Sequence, residues 1–284
     1  MKLTWFIVSN IQITINLFQQ PMLDNWEGWQ IIVILLILLP LIFLFRQSIK
    51  ILYFDTYQLI LKQRVEFKDR YDGDIKYVGG IDISFIKNDN INACISLAVL
   101  DLDTLETVFS RNEMIKMTCE YIPGYLAFRE TPHIARILKT VKTQFPGFYP
   151  DVLIVDGNGR LHKKEFGLAC QTGVTCDIPC IGVAKNLYQM EGCLRDDDHK
   201  SSIDKLESPG ERFEIRNVKN VVIGCAVRTT AASTKPVYVS EGHRVSLETA
   251  CQVVMKCSRY RVPEPVRLAD IMSRDVLRQL EVSE

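Results

Sequence analysis

Short apolar segments separated by turn residues occupy the chain between residues 76 and 116. The stretches "KYVGGIDISF" and "NACISLAVLDL" run or alternate in apolar residues over strand lengths, between Gly, Asp and Asn turn signals. The stretch "LETVFS" predicts a third strand, which would complete a meander with them. A helix is predicted before this meander, near residues 57–67.

The second half of the chain has a different pattern, in which continuous apolar runs end on polar residues. The run from Val152 to Val155 ends at Asp156, "CIGVAK" ends at Lys185, "VVIGCAV" repeats the pattern, and "VYVSEGH" ends at His243. Continuous apolar runs are typical of strands buried on both faces. Because ligands of open α/β sheets lie beyond the carboxyl ends of the strands, Asp156, Lys185 and His243 are predicted to gather on one edge.

Helical periodicity predicts helices beside these strands. Thr131 is expected to be the N-cap of one helix, with Pro132 in its first turn. The apolar positions at helical spacing in that helix are Ile134, Ile137, Leu138, Val141 and Phe145. Ser246 is expected to cap a second helix, and a last helix runs through residues 271–280. The pattern therefore predicts an α/β domain whose sheet lies between helices.

Residues 31–45, "IIVILLILLPLIFLF", form an unbroken apolar run that is followed by Arg46 and Lys50. At about 1.5 Å per residue, a helix of this length reaches roughly 22 Å, which is short of the roughly 30 Å hydrocarbon core of a bilayer. A cleaved signal peptide is disfavoured, because the run starts late and no small-residue cleavage site follows it. Two interpretations stay open: a short membrane anchor, or an extension foreign to the domain, such as a gene-model artefact. Residues 1–50 are therefore separated from a globular domain over residues 51–284.

Composition narrows the class of protein. The 284 residues suffice for one large domain or two small ones. Lys plus Arg (34) balance Asp plus Glu (34), which excludes a broad basic surface for nucleic acid, so any polyanion would need a local groove. The nine cysteines include no CxxC pair and no zinc-like cluster with His. They predict reduced, mostly buried thiols in a cytosolic or nuclear protein rather than a disulfide scaffold.

Three carboxylates are candidates for metal-assisted chemistry. Asp82 lies inside an otherwise apolar strand, where an unpaired buried carboxylate would cost on the order of several kcal/mol. Glu130 and Asp156 could share the compensation by holding a hard divalent cation with it. Mg²⁺ takes a few carboxylate oxygens together with waters and substrate phosphate. That combination suits metal-assisted phosphodiester cleavage.

Each candidate also has a purely structural interpretation. Asp82 could be hydrogen-bonded to backbone, Glu130 could favour a helix dipole, and Asp156 could be a turn residue. Lys185 could be a solvated strand-end lysine, and His243 could be a turn residue. The functional interpretation depends on all five residues meeting at one edge of the sheet.

Five blocks occur in order along the chain: "GGIDISF", "YIPGYLAFRE", "VDGNGRLHKKEFGLACQTGV", "IGVAK" and "VSEGHRVSLETA". Together they resemble the endonuclease V family, the inosine-directed endonucleases, and the resemblance runs from about Tyr57 to Arg278. The forms "DGNG" and "VPEPVRLADI" resemble the eukaryotic branch more than the bacterial one. The resemblance implies an α/β fold of ribonuclease-H-like type, a mixed sheet flanked by helices, here with an extra apolar N-terminal segment.

The resemblance also implies roles for single residues. Asp82, Glu130 and Asp156 match the metal-binding carboxylates, with Mg²⁺ or Mn²⁺ as cofactor. Lys185 matches a lysine near the scissile phosphate, and His243 matches an active-site histidine. Tyr121, Ile122 and Pro123 match a wedge that inserts beside the lesion and helps to push the base into a pocket, and Gly124, Leu126, Gly157 and His162 match positions on the substrate side.

The function that the resemblance implies is Mg²⁺-dependent hydrolysis of the second phosphodiester bond 3′ to inosine, in single-stranded RNA and, as deoxyinosine, in DNA. The products would carry a 3′-hydroxyl and a 5′-phosphate. A monomer in the cytoplasm and nucleus, including the nucleolus, is expected. Two other functions stay open: a non-catalytic module that binds inosine-containing RNA, and a membrane-anchored vestigial nuclease.

Two blocks depart from the family pattern. "SEGH" stands where "SPGH" is common, and "HKKEFG" replaces an "HPRRFG"-like run. The second departure exchanges Arg for Lys and adds Glu165. Because Lys lacks the two-pronged donor geometry of Arg, weaker phosphate contacts are expected there.

Overall fold

The computed structural model describes residues 26–71 and 73–282. The chain divides into a unit that ends at Thr56 and a unit from Tyr57 to Glu284, beyond the predicted boundary at residue 50. Helix α1 (Trp26–Lys62) contains the apolar run 31–45 and ends before the predicted limit at residue 67. Side chains 31, 40 and 42–44 of that run lie outside the described part. Within the residues that the structure describes, no helix has the length and apolar character needed to cross a membrane.

The predicted meander is confirmed. Strands β1 (Tyr77–Phe85), β2 (Asn92–Asp101) and β3 (Thr107–Lys116) pair in antiparallel succession. β1 is the inner strand of the three, because its other edge pairs with the second half of the chain. Its central position places Asp82 inside the sheet rather than at a sheet edge.

The continuous apolar runs form the middle of the sheet. β4 (Val152–Asp156) pairs in parallel with β1 and with β5 (Cys180–Ala184). Three antiparallel strands follow: β6 (Arg212–Arg216), which the pattern did not predict, β7 (Val222–Val227) and β8 (Val237–His243). The eight strands are ordered β3-β2-β1-β4-β5-β8-β7-β6, which confirms the mixed α/β sheet.

Helices cover both faces of the sheet. In chain order they are α2 (Leu126–Gln144), α3 (Leu168–Cys176), α4 (Asp197–Asp204), α5 (Leu247–Lys256) and α6 (Glu264–Val282). Leu153 and Val155 of β4 pack with α2, whereas Val152 and Ile154 pack with α5. Successive side chains of a strand point to opposite faces, so an unbroken apolar run is what a strand between two helix layers requires.

The start of α2 differs from its prediction. The helix begins at Leu126, with Tyr125 as N-cap, and Pro132 lies inside it. Thr131 does not cap, because its hydroxyl is buried and lies 3.2 Å from the Thr172 hydroxyl of α3. Proline removes one backbone donor from a helix interior, a loss that this helix tolerates while packed against α3. The Ser246 cap is confirmed, since its side chain accepts a hydrogen bond from the Thr249 amide.

The cysteines behave as the composition predicts. All nine are free, and seven are buried: Cys94, Cys170, Cys180, Cys193, Cys225, Cys251 and Cys257. These thiols act as small apolar side chains of the core. The fold therefore does not depend on disulfides.

Candidate active site

Asp82 lies in β1 and shares a face with Ser84, two residues further along. Its carboxylate accepts hydrogen bonds from the hydroxyls of Ser84 (3.3 Å) and of Ser273 on α6 (3.4 Å). Burial raises the pKa of Asp82 to about 6, and the charges of Asp156 and Asp270 act in the same direction. The side chain is thus held by hydroxyl groups and faces other acids, which sets aside its interpretation as an acid bonded to backbone.

Glu130 lies in the second turn of α2, directly after the buried Arg129. Burial raises the pKa of Glu130 to about 8, and the charges of Asp82 and Asp156 add to the increase, while Arg129 opposes it. The first turn of α2 contains no acidic residue, so a helix-dipole role for Glu130 is not what the structure shows. Its carboxyl group belongs instead to the acids of the sheet.

Pairing between β1 and β4 brings these acids together. The parallel register aligns Ile81 with Val155, so the next residues along the two strands are Asp82 and Asp156. Asp82, Asp156 and Glu130 line one cavity of about 260 Å³, whose other walls are apolar. The three carboxylates predicted from separate parts of the chain therefore share one site.

Lys185 follows β5 and reaches the same group of acids. Its Nζ donates a hydrogen bond to Asp156 Oδ2 at 2.7 Å. Burial alone would lower the pKa of Lys185, but the Asp156 hydrogen bond and the charges of Asp156, Asp270 and Asp82 raise it overall. The ammonium therefore stays charged beside the carboxylates, at the carboxyl end of the parallel strands.

Asp270 on α6 is a further acid that the pattern did not single out. Its charge raises the pKa of both Asp82 and Lys185, and its Oδ1 pairs with Arg274 at 2.7 Å. Ser273, three residues later on the same helix, donates to Asp82. The available signal was this spacing within the "VRLADI" block, since residues three apart lie on one helix face.

His243 does not lie with these groups, and the prediction that it shares their edge is wrong. β8 runs antiparallel to β5 and aligns His243 with Cys180, at the amino end of β5. The five residues from there to Lys185 span roughly 16 Å of strand. His243 Nδ1 accepts a hydrogen bond from the Glu66 amide at 3.3 Å, and burial lowers the pKa of His243 to about 4, so its ring is neutral.

The fit of this site to a metal ion depends on its donors. No three His, Cys, Asp or Glu side chains of the described ranges are grouped tightly enough to hold an ion. The chemistry of the donors nevertheless fits a hard cation, because Asp82, Glu130 and Asp156 line one cavity and repel one another. A cation among them would relieve that repulsion. The assignment of these three residues as metal ligands stays a prediction.

A second cavity, of about 160 Å³, adjoins the first. It gathers five of the residues predicted to contact substrate: Tyr121, Gly124, Leu126, Gly157 and His162. Leu168 lines both cavities. Tyr121 is 55% exposed, as a wedge residue requires, while Ile122 and Pro123 are not among the lining residues.

His162 forms part of the wall of this second cavity. Burial lowers the pKa of His162 to about 4, and the charges of Lys163 and Lys164 act in the same direction. Its ring lies 4.9 Å from the Tyr188 ring, and its Nδ1 accepts from the Lys164 amide at 3.4 Å. His162 is therefore a neutral, hydrogen-bonded ring. Gln58 and Tyr188 also line the cavity, and no sequence pattern singled them out.

The two departures from the family pattern meet at Arg160. Its Nε lies 3.3 Å from Glu165, and its Nη1 lies 3.5 Å from Glu241, the acid of the "SEGH" block. The guanidinium also stacks over Phe67 at 4.6 Å. Arg160 is thus engaged within the protein, so these two acids act on the fold around the second cavity.

Comparison with known proteins matches the chain to one family model, Endonuclease V, over residues 60–271. Human endonuclease V is 44% identical over 205 residues, which are 72% of this chain and 73% of the human protein. Mouse endonuclease V is 43% identical over 72% of this chain and 61% of the mouse protein. A putative endonuclease of Schizosaccharomyces pombe is 36% identical over 78% of this chain and 91% of its own length.

Solved structures agree with these sequence matches. The crystal structure of human ENDOV has a TM-score of 0.78 and 40% identity, and it covers 81% of this chain and 98% of its own. Ciona intestinalis endonuclease V, in complex with a 24mer DNA containing an inosine followed by a ribo-adenosine, has a TM-score of 0.76 and 31% identity over 82% of this chain and 99% of its own. Bacillus subtilis endonuclease V has a TM-score of 0.69 and 28% identity over 81% and 93%.

Proposed function

The chain belongs to the endonuclease V family and is an endonuclease, and from that premise we propose that it cleaves the second phosphodiester bond 3′ to inosine with Mg²⁺. The observation that carries the proposal is the adjacency of two cavities. One is lined by Asp82, Glu130 and Asp156, the other by the residues expected to receive a base, and Leu168 borders both. A base in the second cavity would leave its own strand beside the carboxylates.

The residues of the first cavity divide the chemical work. Asp82, Glu130 and Asp156 would hold Mg²⁺, or Mn²⁺, with Asp270 adding negative charge nearby. When bound, such an ion lowers the pKa of a coordinated water and stabilises charge on phosphoryl oxygens. Lys185, fixed by Asp156, presents a positive charge that stabilises a developing anion at the scissile phosphate. His243 takes no direct part, because it lies at the other edge of the sheet.

The residues of the second cavity recognise the base. Tyr121, exposed at the rim, would insert into the strand and separate the inosine from its neighbours. The extruded base would then lie between the backbone at Gly124 and the backbone at Gly157. Gly124 has a φ of +83°, and a Cβ there would lie 2.9 Å from the Lys163 side chain, so this position requires glycine.

Single-stranded RNA is the substrate that we propose as preferred over DNA. Identity to mammalian relatives supports a eukaryotic-type enzyme. The balanced charge of the chain suits a short flexible strand, because a long duplex rewards a broad basic face. The 2′-hydroxyl is both donor and acceptor, so a polar site can distinguish ribose from deoxyribose.

The central experiment is incubation of the full chain with a single-stranded RNA that carries one inosine. Mg²⁺ and Mn²⁺ should each give one cut at the second bond 3′ to inosine, with a 3′-hydroxyl and a 5′-phosphate, and EDTA should abolish it. The adenosine strand is the matched control. Cleavage that ignores inosine, or that survives EDTA, contradicts the proposal.

The preference for RNA needs a separate substrate series. A DNA strand receives one ribose, either at the inosine or at its 3′ neighbour, and cleavage rates are compared with the all-DNA strand. A gain at one of these positions supports the RNA preference. Equal rates at both positions contradict it and leave an enzyme that acts on deoxyinosine in DNA.

Location and assembly belong to the same proposal. The free cysteines support residence in the reducing cytoplasm and nucleus. We expect a monomer, since one chain contains both cavities. Imaging of a tagged chain and light scattering of the purified protein test these two expectations.

A further inference from the structure

The polar side chains around the second cavity are mostly engaged with the protein itself. Gln58 Oε1 accepts a hydrogen bond from Lys164 Nζ at 3.1 Å. His162 accepts from the Lys164 amide, and its ring also forms a hydrogen bond with the Gly124 backbone. Neither Gln58 Oε1 nor His162 Nδ1 is therefore an open acceptor for a base.

Asn158 is different. It lines the cavity, and its Oδ1 is shielded from solvent with no hydrogen-bond partner among the described residues. A buried acceptor without a donor is costly, and protein structures satisfy nearly all such atoms. An acceptor left open beside a ligand cavity is explained when the ligand supplies the donor.

The backbone at Asn158 is held in place. Its carbonyl accepts a hydrogen bond from the Ala169 amide at 3.1 Å. A Cβ at Gly167 would lie 2.3 Å from this carbonyl oxygen, and a Cβ at Gly182 would lie 2.8 Å from the Asn158 carbonyl carbon. The two glycines thus allow close packing from two sides. Asn158 is therefore presented to the cavity on rigid backbone, as a recognition residue should be.

We propose that Asn158 is a specificity-determining residue whose Oδ1 accepts the N1–H of the hypoxanthine base. This inference rests on the proposed function. N1–H is the conventional hydrogen-bond donor of the ring edge of hypoxanthine, whereas adenine has a lone pair at N1. In the same pose, adenine would place two acceptors against each other and leave Asn158 unsatisfied, and sites of this kind discriminate strongly.

The proposal separates two kinds of discrimination. Guanine carries the same N1–H, so Asn158 distinguishes inosine from adenosine but not from guanosine. Rejection of guanosine would depend on the room that the cavity of about 160 Å³ leaves for the 2-amino group. A change at Asn158 should therefore alter one ratio of rates and preserve the other.

The test compares strands that contain inosine or 1-deazainosine, in which a C–H replaces N1–H. Under single-turnover conditions the wild-type enzyme should cleave the inosine strand about tenfold faster, the usual effect of one hydrogen bond at a buried group. Asn158→Leu, which has similar size and no acceptor, should cleave both strands at the same reduced rate. Its ratio of inosine to guanosine cleavage should stay at the wild-type value.

Gln58→Leu is the matched control, because it removes an amide from the same cavity whose oxygen already has a partner. It should keep the preference for inosine over 1-deazainosine. If Asn158→Leu does not fold, Asn158→Ala provides the same comparison. Equal wild-type rates on the two strands, or a preference that persists in the Asn158 variants, overturn the role of Asn158. A wild-type enzyme that cuts no inosine strand overturns the proposed function instead.

Discussion

At the scale of the residue, charge rather than size distinguishes the acids of the first cavity. Asp82 and Glu130 have pKa values raised to about 6 and about 8, mainly by burial, with the neighbouring acids adding to the shift. Such a concentration of like charge destabilises a fold unless a cation or a proton balances it. Asp156 is balanced in part by Lys185. The cavity is therefore arranged for binding a positive ion rather than for packing.

Removal of one negative charge should abolish cleavage. We expect Asp82→Asn and Asp156→Asn each to lower kcat/KM at least about a hundredfold, close to 2.7 kcal/mol in activation free energy. The amide keeps the volume of the side chain but gives up the charge that a hard cation needs. Thermal unfolding and binding to an inosine strand should change little.

Asp103→Asn is the control for these variants. Asp103 is an exposed acid that pairs with Lys256 at 3.5 Å, and it follows the end of β2 that lies away from the cavity. Its activity should match the wild type. An Asp82→Asn or Asp156→Asn variant that cleaves at a normal rate would remove the metal-site assignment.

At the scale of the element, the carboxyl end of β5 is fixed by a residue from another segment. Arg261, between α5 and α6, donates from Nη2 to the carbonyl of Lys185 and to that of Pro236 at 2.9 Å, and from Nε to Pro236 at 3.3 Å. One guanidinium thus joins the end of β5 to the start of β8. Lys185 reaches Asp156 from this anchored position.

Arg261→Lys should therefore lower kcat about tenfold with a smaller effect on KM, because one ammonium cannot bridge two carbonyls as a guanidinium does. The positioning role predicts that Arg261→Ala is worse than Arg261→Lys. Arg259→Lys, which alters a neighbouring exposed arginine bonded to the Thr104 carbonyl at 3.1 Å, is the control. An unchanged kcat for Arg261→Lys would show that the clamp does not position Lys185.

The last turn of α1 is a second element with a functional consequence. Leu61 packs with Phe166, Cys170 and Val174, and Lys62 Nζ donates to the Lys164 carbonyl at 2.6 Å. This turn supports the loop that carries His162. The residues that complete the second cavity thus extend to Gln58, ahead of the family match that begins at residue 60.

Deletion of residues 1–50 should leave cleavage unchanged, whereas a chain that begins at residue 63 should lose stability and inosine binding. Leu61→Ala isolates the cause and should cost about 2–5 kcal/mol in the free energy of unfolding. Leu59→Ala, on a 63% exposed side chain, is the matched control. Circular dichroism, denaturant unfolding and cleavage rates measure the three effects. A folded but inactive chain from residue 51 would contradict this boundary.

At the scale of the whole molecule, the sheet order concentrates charge while the chain stays neutral. Lys plus Arg equal Asp plus Glu over the full sequence, yet three acids converge where β1 and β4 run side by side. Proton binding at this site is therefore coupled to folding. A carboxyl group whose folded pKa exceeds its unfolded value favours folding when protonated and loses that advantage as the pH rises through the folded pKa.

Glu130→Gln should accordingly stabilise the metal-free protein relative to the wild type at pH 8 and much less at pH 4, by up to the order of a few kcal/mol. Denaturant unfolding with EDTA at both pH values measures the difference. In excess Mg²⁺ the advantage at pH 8 should shrink or reverse, because the ion stabilises only the protein with the carboxylate. A difference that does not depend on pH would mean that Glu130 is not held at a raised pKa.

The sequence by itself determined the elements whose pattern is local. Alternation predicted the meander, and the apolar runs predicted β4 and β5, because burial on one or both faces leaves a direct record in residue order. It also identified Asp82, as a charge inside an apolar strand, and the matched blocks identified Glu130 and Asp156. These three assignments needed no knowledge of which strands pair.

Only the tertiary structure decided strand direction and shared space. His243 ends an apolar run as Lys185 does, but the antiparallel direction of β8 carries it to the opposite edge, and direction leaves no mark in an apolar run. The packing of α2 on α3 decided where α2 begins, through the hydroxyl of Thr131. Asp270 and Asn158 gain their importance from neighbours distant in sequence. Periodicity reports how deeply a residue is buried, whereas pairing and packing decide beside which groups it lies.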